Sequence, residues 1–398
     1  MGKDKVVLAF SGGLDTSYCV KYLGEEKGLE VHSAIVNTGG FSAEEIVEIE
    51  SRAKNLGCAS HVALDKTQEY YDKCVKYLIF GNVLKNNTYP LSVSAERVFQ
   101  AMAIATYAKK IGAKYIAHGS TGAGNDQVRF DLVFQIMAPE IGILTPIRDQ
   151  QLSREAEVAY LASKGVDQDW AKAKYSINKG LWGTSVGGAE TLSSDGVLPE
   201  DAYPTQLKKT EPETISIDFE KGEPVGVNGE RLSSPLEVIN KVEELAGAFA
   251  VGRDVHVGDT IIGIKGRVGF EAAAPLILIK AHHLLEKHVQ TKWQQYWKEQ
   301  MANWYGMMLH EGQYLDPVMR NIESFLEETQ GNVTGTVNVE LKPYQFNVLG
   351  VTSEYDLMSA KFGSYGEMNK AWSGEDVKGF TKIMSNQLKI YFQVNDEE

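Results

Sequence analysis

Through the first 165 residues, short β-branched and apolar runs alternate with longer stretches of helical period. VVLAF precedes Thr16–Lys27, VHSAIV precedes Ala43–Leu56, and HVAL precedes Gln68–Phe80. That alternation predicts βαβ units, a parallel sheet and an α/β fold class. The spacing further predicts a helix over Ala95–Ile111, a buried strand over Lys114–Ala117 and a helix over Arg154–Lys164. In such sheets ligands bind beyond the carboxyl ends of the strands.

After Lys174 the pattern changes. Gly and Ser crowd Gly180–Gly196, which reads as linker, and Pro199, Pro204 and Pro212 break the chain before a strand at Thr214–Phe219. Strands are then expected at Thr260–Ile264, Leu276–Ile279, Val333–Val339 and Gln345–Val351. Helices are expected at Lys280–Gln300 and Val318–Thr329. This is an α+β pattern. Val377, Phe380, Ile383, Met384, Leu388 and Tyr391 mark one side of a last helix, Glu375–Tyr391, expected to dock on another subunit. The expected division is therefore 1–170, 171–370 and 371–398.

At 398 residues the chain is long enough for two domains and an appendage. A formal charge of −13 without a basic track argues against nucleic acid as the main partner. Three cysteines, Cys19, Cys58 and Cys74, form no CxxC pair and suit a reducing compartment; no protein-bound metal site is expected. No apolar run reaches the roughly 18 residues of a membrane span, and MGKDKVVLAF is too short in apolar content for a signal peptide, so the expectation is a cytoplasmic protein.

Candidate chemistry begins at SGGLDTS, Ser11–Ser17, between a predicted strand and helix. Gly12 and Gly13 let backbone approach a ligand, and amides at a helix start face an anion. The loop matches neither GxxxxGK[ST] nor GxGxxG, which excludes the two commonest phosphate patterns. A plain glycine turn capped by Asp15 is the competing reading. A second cluster, AHGSTGAGNDQVRF at Ala117–Phe130, follows another predicted strand and so falls on the same sheet edge. Its hydroxyl, amide, carboxylate and guanidinium groups suit a zwitterionic amino acid, against the alternative of a solvated loop.

Together, SGGLDTS, GNDQVRF and VNGERLSSP (Val227–Pro235) resemble the argininosuccinate synthase family of pyrophosphatase-loop ATP enzymes, essentially over the full length. The resemblance implies an adenine nucleotide α-hydrolase-like (HUP, Rossmann-like) N-terminal domain, a synthetase and multimerisation domain, and a terminal helix. It implies ATP-dependent ligation of citrulline and aspartate with Mg²⁺, release of AMP and pyrophosphate, and a homo-oligomer, a tetramer being favoured. ATP would be held by Ala9, Phe10, Ser11, Gly12, Gly13, Leu14, Asp15, Thr16, Ser17, Val36 and Gly119. Aspartate would be held by Thr121, Asn125 and Asp126. Citrulline would be held by Tyr89, Ser94, Asn125, Arg129, Ser176 and Ser185, with Asp259 and Phe270 at the remaining citrulline positions. Asp15, Arg97 and Asp126 become the candidate catalytic groups.

The chain departs from the family pattern in three places. VNTGGF at Val36–Phe41 replaces an ADxGQ-like turn. The family's citrulline-contacting Glu falls on Gly258 beside Asp259, and its Tyr falls on Phe270, which has no hydroxyl to donate. Elsewhere, His282, His283 and His288 read as a helix surface rather than a metal cluster, and Trp293, Trp297 and Trp304 as packing or interface residues. A transfer-RNA thiolation enzyme of the same loop class is disfavoured by the acidic surface and lack of paired cysteines. A nucleotide-binding module without catalysis has no use for Thr121–Arg129.

Overall fold

The computed structural model describes residues 2–166, 168, 170, 174–359, 365–366 and 371–395. Five strands, β1 (Lys5–Ala9), β2 (Glu30–Asn37), β3 (Ser60–Asp65), β4 (Tyr115–Ala117) and β5 (Gly142–Leu144), form an all-parallel sheet in the order β3-β2-β1-β4-β5. The order reverses between β1 and β4, so the crevice beyond their carboxyl ends is the natural ligand position. β5 was not expected; three residues are too few to show a period.

Helix α1 (Leu14–Lys21) runs on as a π-helical turn, Tyr22–Glu26. Helix α2 (Ala43–Leu56) starts at a capping box between Ser42 and Glu45 and stops where Gly57 turns left-handed at φ 97°. The expected helix Gln68–Phe80 is α3 (Thr67–Tyr70), a π turn and α4 (Lys76–Phe80). The long α5 (Ser92–Lys110) is mostly buried and packs on β1, β2 and β4 of the parallel sheet as well as on the next sheet. Helices α6 (Asp126–Met137), α7 (Pro146–Gln150) and α8 (Arg154–Ser163) complete this part.

The glycine-rich stretch read as linker is ordered as a hairpin, β6 (Ser176–Gly180) and β7 (Gly183–Gly187). It joins β11 (Arg253–Asp259) and β12 (Lys265–Glu271) in the antiparallel order β11-β12-β7-β6, next to α5. The third sheet combines β8 (Glu213–Glu220), β9 (Glu223–Val227), β10 (Glu230–Arg231), β13 (Gly335–Lys342) and β14 (Gln345–Thr352), backed by α9 (Pro235–Gly247) and α10 (Ala273–Val289). Helices α11 (Lys292–His310) and α12 (Pro317–Glu328) follow.

Several expectations need correcting. Thr260–Ile264 is the turn between β11 and β12, closed by Thr260 N donating to Ile264 O at 2.8 Å. Leu276–Ile279 lies inside α10; a short apolar run buried on all sides shows the same pattern in a helix or a strand. The helix expected over Lys280–Gln300 is two helices, because Thr291 caps α11 with Gln294. The terminal helix is likewise split at Ser385 into α13 (Gly374–Met384) and α14 (Asn386–Asn395). His282 is not on a helix surface: it is fully buried, bonded to Asn82 Oδ1 at 2.7 Å and Gln330 Oε1 at 2.8 Å. Among the described residues no helix is long and apolar enough to cross a membrane.

Candidate active site

The loop after β1 is shaped by glycine. Gly12 sits at φ 77°, where a side chain is strained, and its carbonyl accepts from Arg52 Nη1 of α2. Gly13 then starts α1, leaving first-turn amides open toward the cavity beside the hydroxyls of Ser11 and Thr16, which lie 3.4 Å apart. The β4 loop meets this turn directly. A Cβ at Gly119 would stand 3.3 Å from the Asp15 and Thr16 side chains, so glycine there allows the two loops to touch.

Both loops open into one cavity of about 1050 Å³. It is lined by Ala9, Phe10, Ser11, Gly13, Leu14, Asp15 and Thr16, by Val36, and by Gly119, Thr121, Asn125, Asp126 and Arg129. Tyr89, Ser94, Arg97, Ser176, Ser185 and Asp259 line the same space. Three expected residues do not. Gly12 bends the loop from behind; Ser17 is fully buried with an unpartnered hydroxyl; Phe270 is fully buried against Tyr89, ring centroids 5.4 Å apart. Phe270 therefore packs against Tyr89 and does not line the cavity.

In the cavity wall Asp126, first residue of α6, bridges two arginines. Its Oδ2 accepts from Arg97 Nε at 3.0 Å and its Oδ1 from Arg129 Nη1 at 2.8 Å. The side chain remains 41% exposed, but into the cavity rather than to open solvent. Burial alone would raise its pKa; the charges of Arg97 and then Arg129 outweigh that and hold the carboxyl below its usual range. Arg129 is anchored further by donating to His310 O at 2.9 Å, at the end of α11. Burial, then the charge of Arg129, push His310 far down, so it stays neutral there.

Sequence reasoning missed Glu96. It is 2% exposed and lines the cavity, with Oε1 accepting from Arg97 Nη1 at 2.8 Å and Oε2 from Thr38 Oγ1 at 2.9 Å. Burial raises it to about 7, against the opposing pull of Arg97 and the Thr38 hydrogen bond. Thr38 belongs to the turn VNTGGF, which Asn37 folds by accepting from Gly39 N at 2.9 Å. A charged residue on a helix face otherwise buried was the available signal.

His256 was also missed, and it explains one departure. Its ring stacks on Tyr89 at 5.0 Å, and a Cβ at Gly258 would lie 2.7 Å from its Nε2, so the histidine occupies the room a side chain at 258 would need. Burial, then Lys85, lower its pKa, leaving it neutral. Asp259 is at the rim, paired with Lys265 at 2.6 Å, both side chains 71% exposed. Asn125 ties this hairpin to the first domain, its Oδ1 accepting from Ile261 N at 2.9 Å. Tyr89 OH accepts from Ser92 Oγ at 3.1 Å, and Ser94 Oγ donates to Leu91 O at 3.3 Å.

Beneath α1, Glu157 of α8 is 3% exposed; burial, then Asp15, raise its pKa. Among the described residues no group of three or more His, Cys, Asp or Glu could hold a metal ion.

Two family models match this chain: "Arginosuccinate synthase N-terminal HUP domain" over residues 5–167 and "Arginosuccinate synthase C-terminal domain" over 175–391. Curated relatives carry the name argininosuccinate synthase. One from Methanocaldococcus jannaschii is 38% identical over 388 residues, 97% of either chain. Another from Dictyoglomus thermophilum is 35% identical over 394 residues, 98% of either. A third from Xanthomonas campestris pv. campestris is 37% identical over 407 residues, covering 99% of this chain and 100% of the relative.

Proposed function

Since the chain belongs to the argininosuccinate synthase family, ATP-dependent ligases of citrulline and aspartate in arginine biosynthesis, we propose how its own residues divide that reaction. The observation that carries the division is the shared cavity: the anion-binding start of α1 and the Arg97–Asp126–Arg129 cluster open into the same space.

ATP lies along Ala9–Thr16, with its adenine beside Val36 and its phosphates at the open amides of α1. The citrulline ureido oxygen attacks the α-phosphorus and pyrophosphate leaves. Ser11, Thr16 and the first-turn amides take up the leaving group's charge, and they are already in place before it develops. Asp15 lines the cavity next to Thr16 in the chain, and this hard-oxygen donor set would fit Mg²⁺ held mainly through the nucleotide's phosphates. Bound there, Mg²⁺ would supply charge neutralisation for the pyrophosphate.

Tyr89, Ser94, Asn125, Ser176 and Ser185 hold citrulline, with His256 replacing the absent side chain at 258. Thr121, Asn125 and the Asp126–arginine cluster hold aspartate. With both oxygens in ion pairs, Asp126 orients the arginines and the substrate ammonium and is a poor proton acceptor. Product formation assayed with one substrate omitted at a time tests the reading: argininosuccinate should need ATP, citrulline and aspartate together, and AMP formation without citrulline would contradict it.

The same reading extends to assembly. Helices α13 and α14 bury none of their residues, leaving Phe380, Ile383 and Leu388 exposed, and α11 exposes Trp293, Trp297 and Trp304. The chain forms a homo-oligomer, a tetramer being favoured, in which the terminal helices dock on another subunit. Light scattering should give a smaller particle for a chain ending at Ser373 than for the full chain; equal subunit numbers would contradict docking.

A further inference from the structure

Two carboxylates stand beside Arg97 in the cavity, and they are held differently. Asp126 is pinned through both oxygens by guanidinium groups. Among the described residues Glu96 has one arginine contact, through Oε1, while Oε2 accepts from the neutral Thr38 hydroxyl. Oε2 also faces the β6–β7 turn, where a Cβ at Gly180 would come within 2.7 Å of it, so glycine leaves this oxygen room. The position lies between the turn that follows β2, on the nucleotide side, and the cluster that holds the second amino acid.

We propose that Glu96 is the general base of the second step, taking the proton from the aspartate ammonium before its nitrogen attacks. This rests on the ligation reading above. An N–H bond of the ammonium breaks and its proton passes to a Glu96 carboxylate oxygen. The freed lone pair forms the C–N bond at the ureido carbon, the C–O bond to AMP breaks, and AMP leaves with that electron pair. Glu96 returns its proton to water when products depart.

The charged groups facing Glu96 are Arg97 from its own helix and Asp126 from α6. The β2 turn contributes neutral Thr38, which also accepts from Gln100 Nε2 at 3.3 Å, and the β6–β7 turn contributes Gly180. Only the ionised carboxylate accepts a proton. The second step therefore accelerates as pH rises through about 7 and levels off above it.

The test separates the two steps in single turnovers. ATP and citrulline are mixed with the enzyme, pyrophosphate is measured, and aspartate is then added across about pH 5.5 to 9. Glu96→Gln should release pyrophosphate within about threefold of the unmodified rate. Its aspartate step should slow roughly 10²- to 10⁴-fold and lose the acid limb. Glu96→Asp, which keeps a carboxylate, should recover part of the rate and the limb. An aspartate step within about fivefold of normal, a retained limb in Glu96→Gln, or equal slowing of both steps would overturn the proposal. Absence of citrulline-dependent pyrophosphate release from the unmodified enzyme would instead overturn the ligation reading, and this proposal with it.

Discussion

Replacing Asp126 with alanine should lower kcat/KM for aspartate by about 10³-fold, because its carboxylate is a counter-charge shared by Arg97 and Arg129. Arg129 is 3% exposed and cannot turn to solvent for compensation. Without Asp126 the two guanidinium groups repel, Arg97 swings toward Glu96, and the ammonium of the incoming amino acid meets uncompensated positive charge. Losing one member of a buried charge pair costs about 2–5 kcal/mol, most of it appearing here in binding and positioning. ATP affinity should change little, since Asp126 bonds Arg97 and Arg129 rather than the Ser11–Ser17 loop. Steady-state kinetics with varied aspartate, beside nucleotide binding, check this; a loss under tenfold would show that the cluster does not hold the second substrate.

Much of this site was legible because its chemistry is local in sequence. SGGLDTS and GNDQVRF each follow a strand and each open a helix, so their place on one sheet edge follows from βαβ chirality and strand order. The citrulline side was less legible. Tyr89 is positioned by His256 and Phe270, on β11 and β12, the two strands that flank Thr260–Ile264, where the pattern placed a strand and the structure has their turn. Nor could the sequence reveal that Phe270 faces away from the cavity, because a one-residue change of register reverses the faces of a strand. Glu96 was not singled out by the sequence; its raised pKa comes from burial, with Asp126 of α6 adding to it and Arg97 and the Thr38 hydrogen bond opposing it. The buried run in α10 misled for a related reason, since a helix covered on all sides loses its period.

Replacing Lys298 with methionine should destabilise the fold by about 3–5 kcal/mol. Lys298 is 1% exposed; its Nζ donates to Phe80 O at 2.6 Å and pairs with Glu286 at 2.5 Å. Glu286 is fully buried and also accepts from Asn82 Nδ2 at 2.6 Å and Gln330 Nε2 at 3.0 Å. Burial alone would raise the Glu286 pKa, but His282 and Lys298 hold it below the usual range, so removing Lys298 strands a buried anion. At ordinary unfolding entropies for a chain of 398 residues this corresponds to a melting temperature lower by about 4–6 °C. Asn82 begins the loop that ends at Tyr89, so the Michaelis constant for citrulline should rise as well. Adding Glu286→Gln should restore part of the stability. Calorimetry showing less than about 1 °C of change for Lys298→Met would mean that the network is not held by this ion pair.

On the ligation reading, one cavity first adenylates citrulline and only then admits the aspartate amine. Rapid-quench measurement with ATP and citrulline, aspartate withheld, tests it most directly. The expected result is a burst of about one pyrophosphate per site that then stalls, with AMP freed only when aspartate is added. No citrulline-dependent burst, or pyrophosphate released only once aspartate is present, would contradict it.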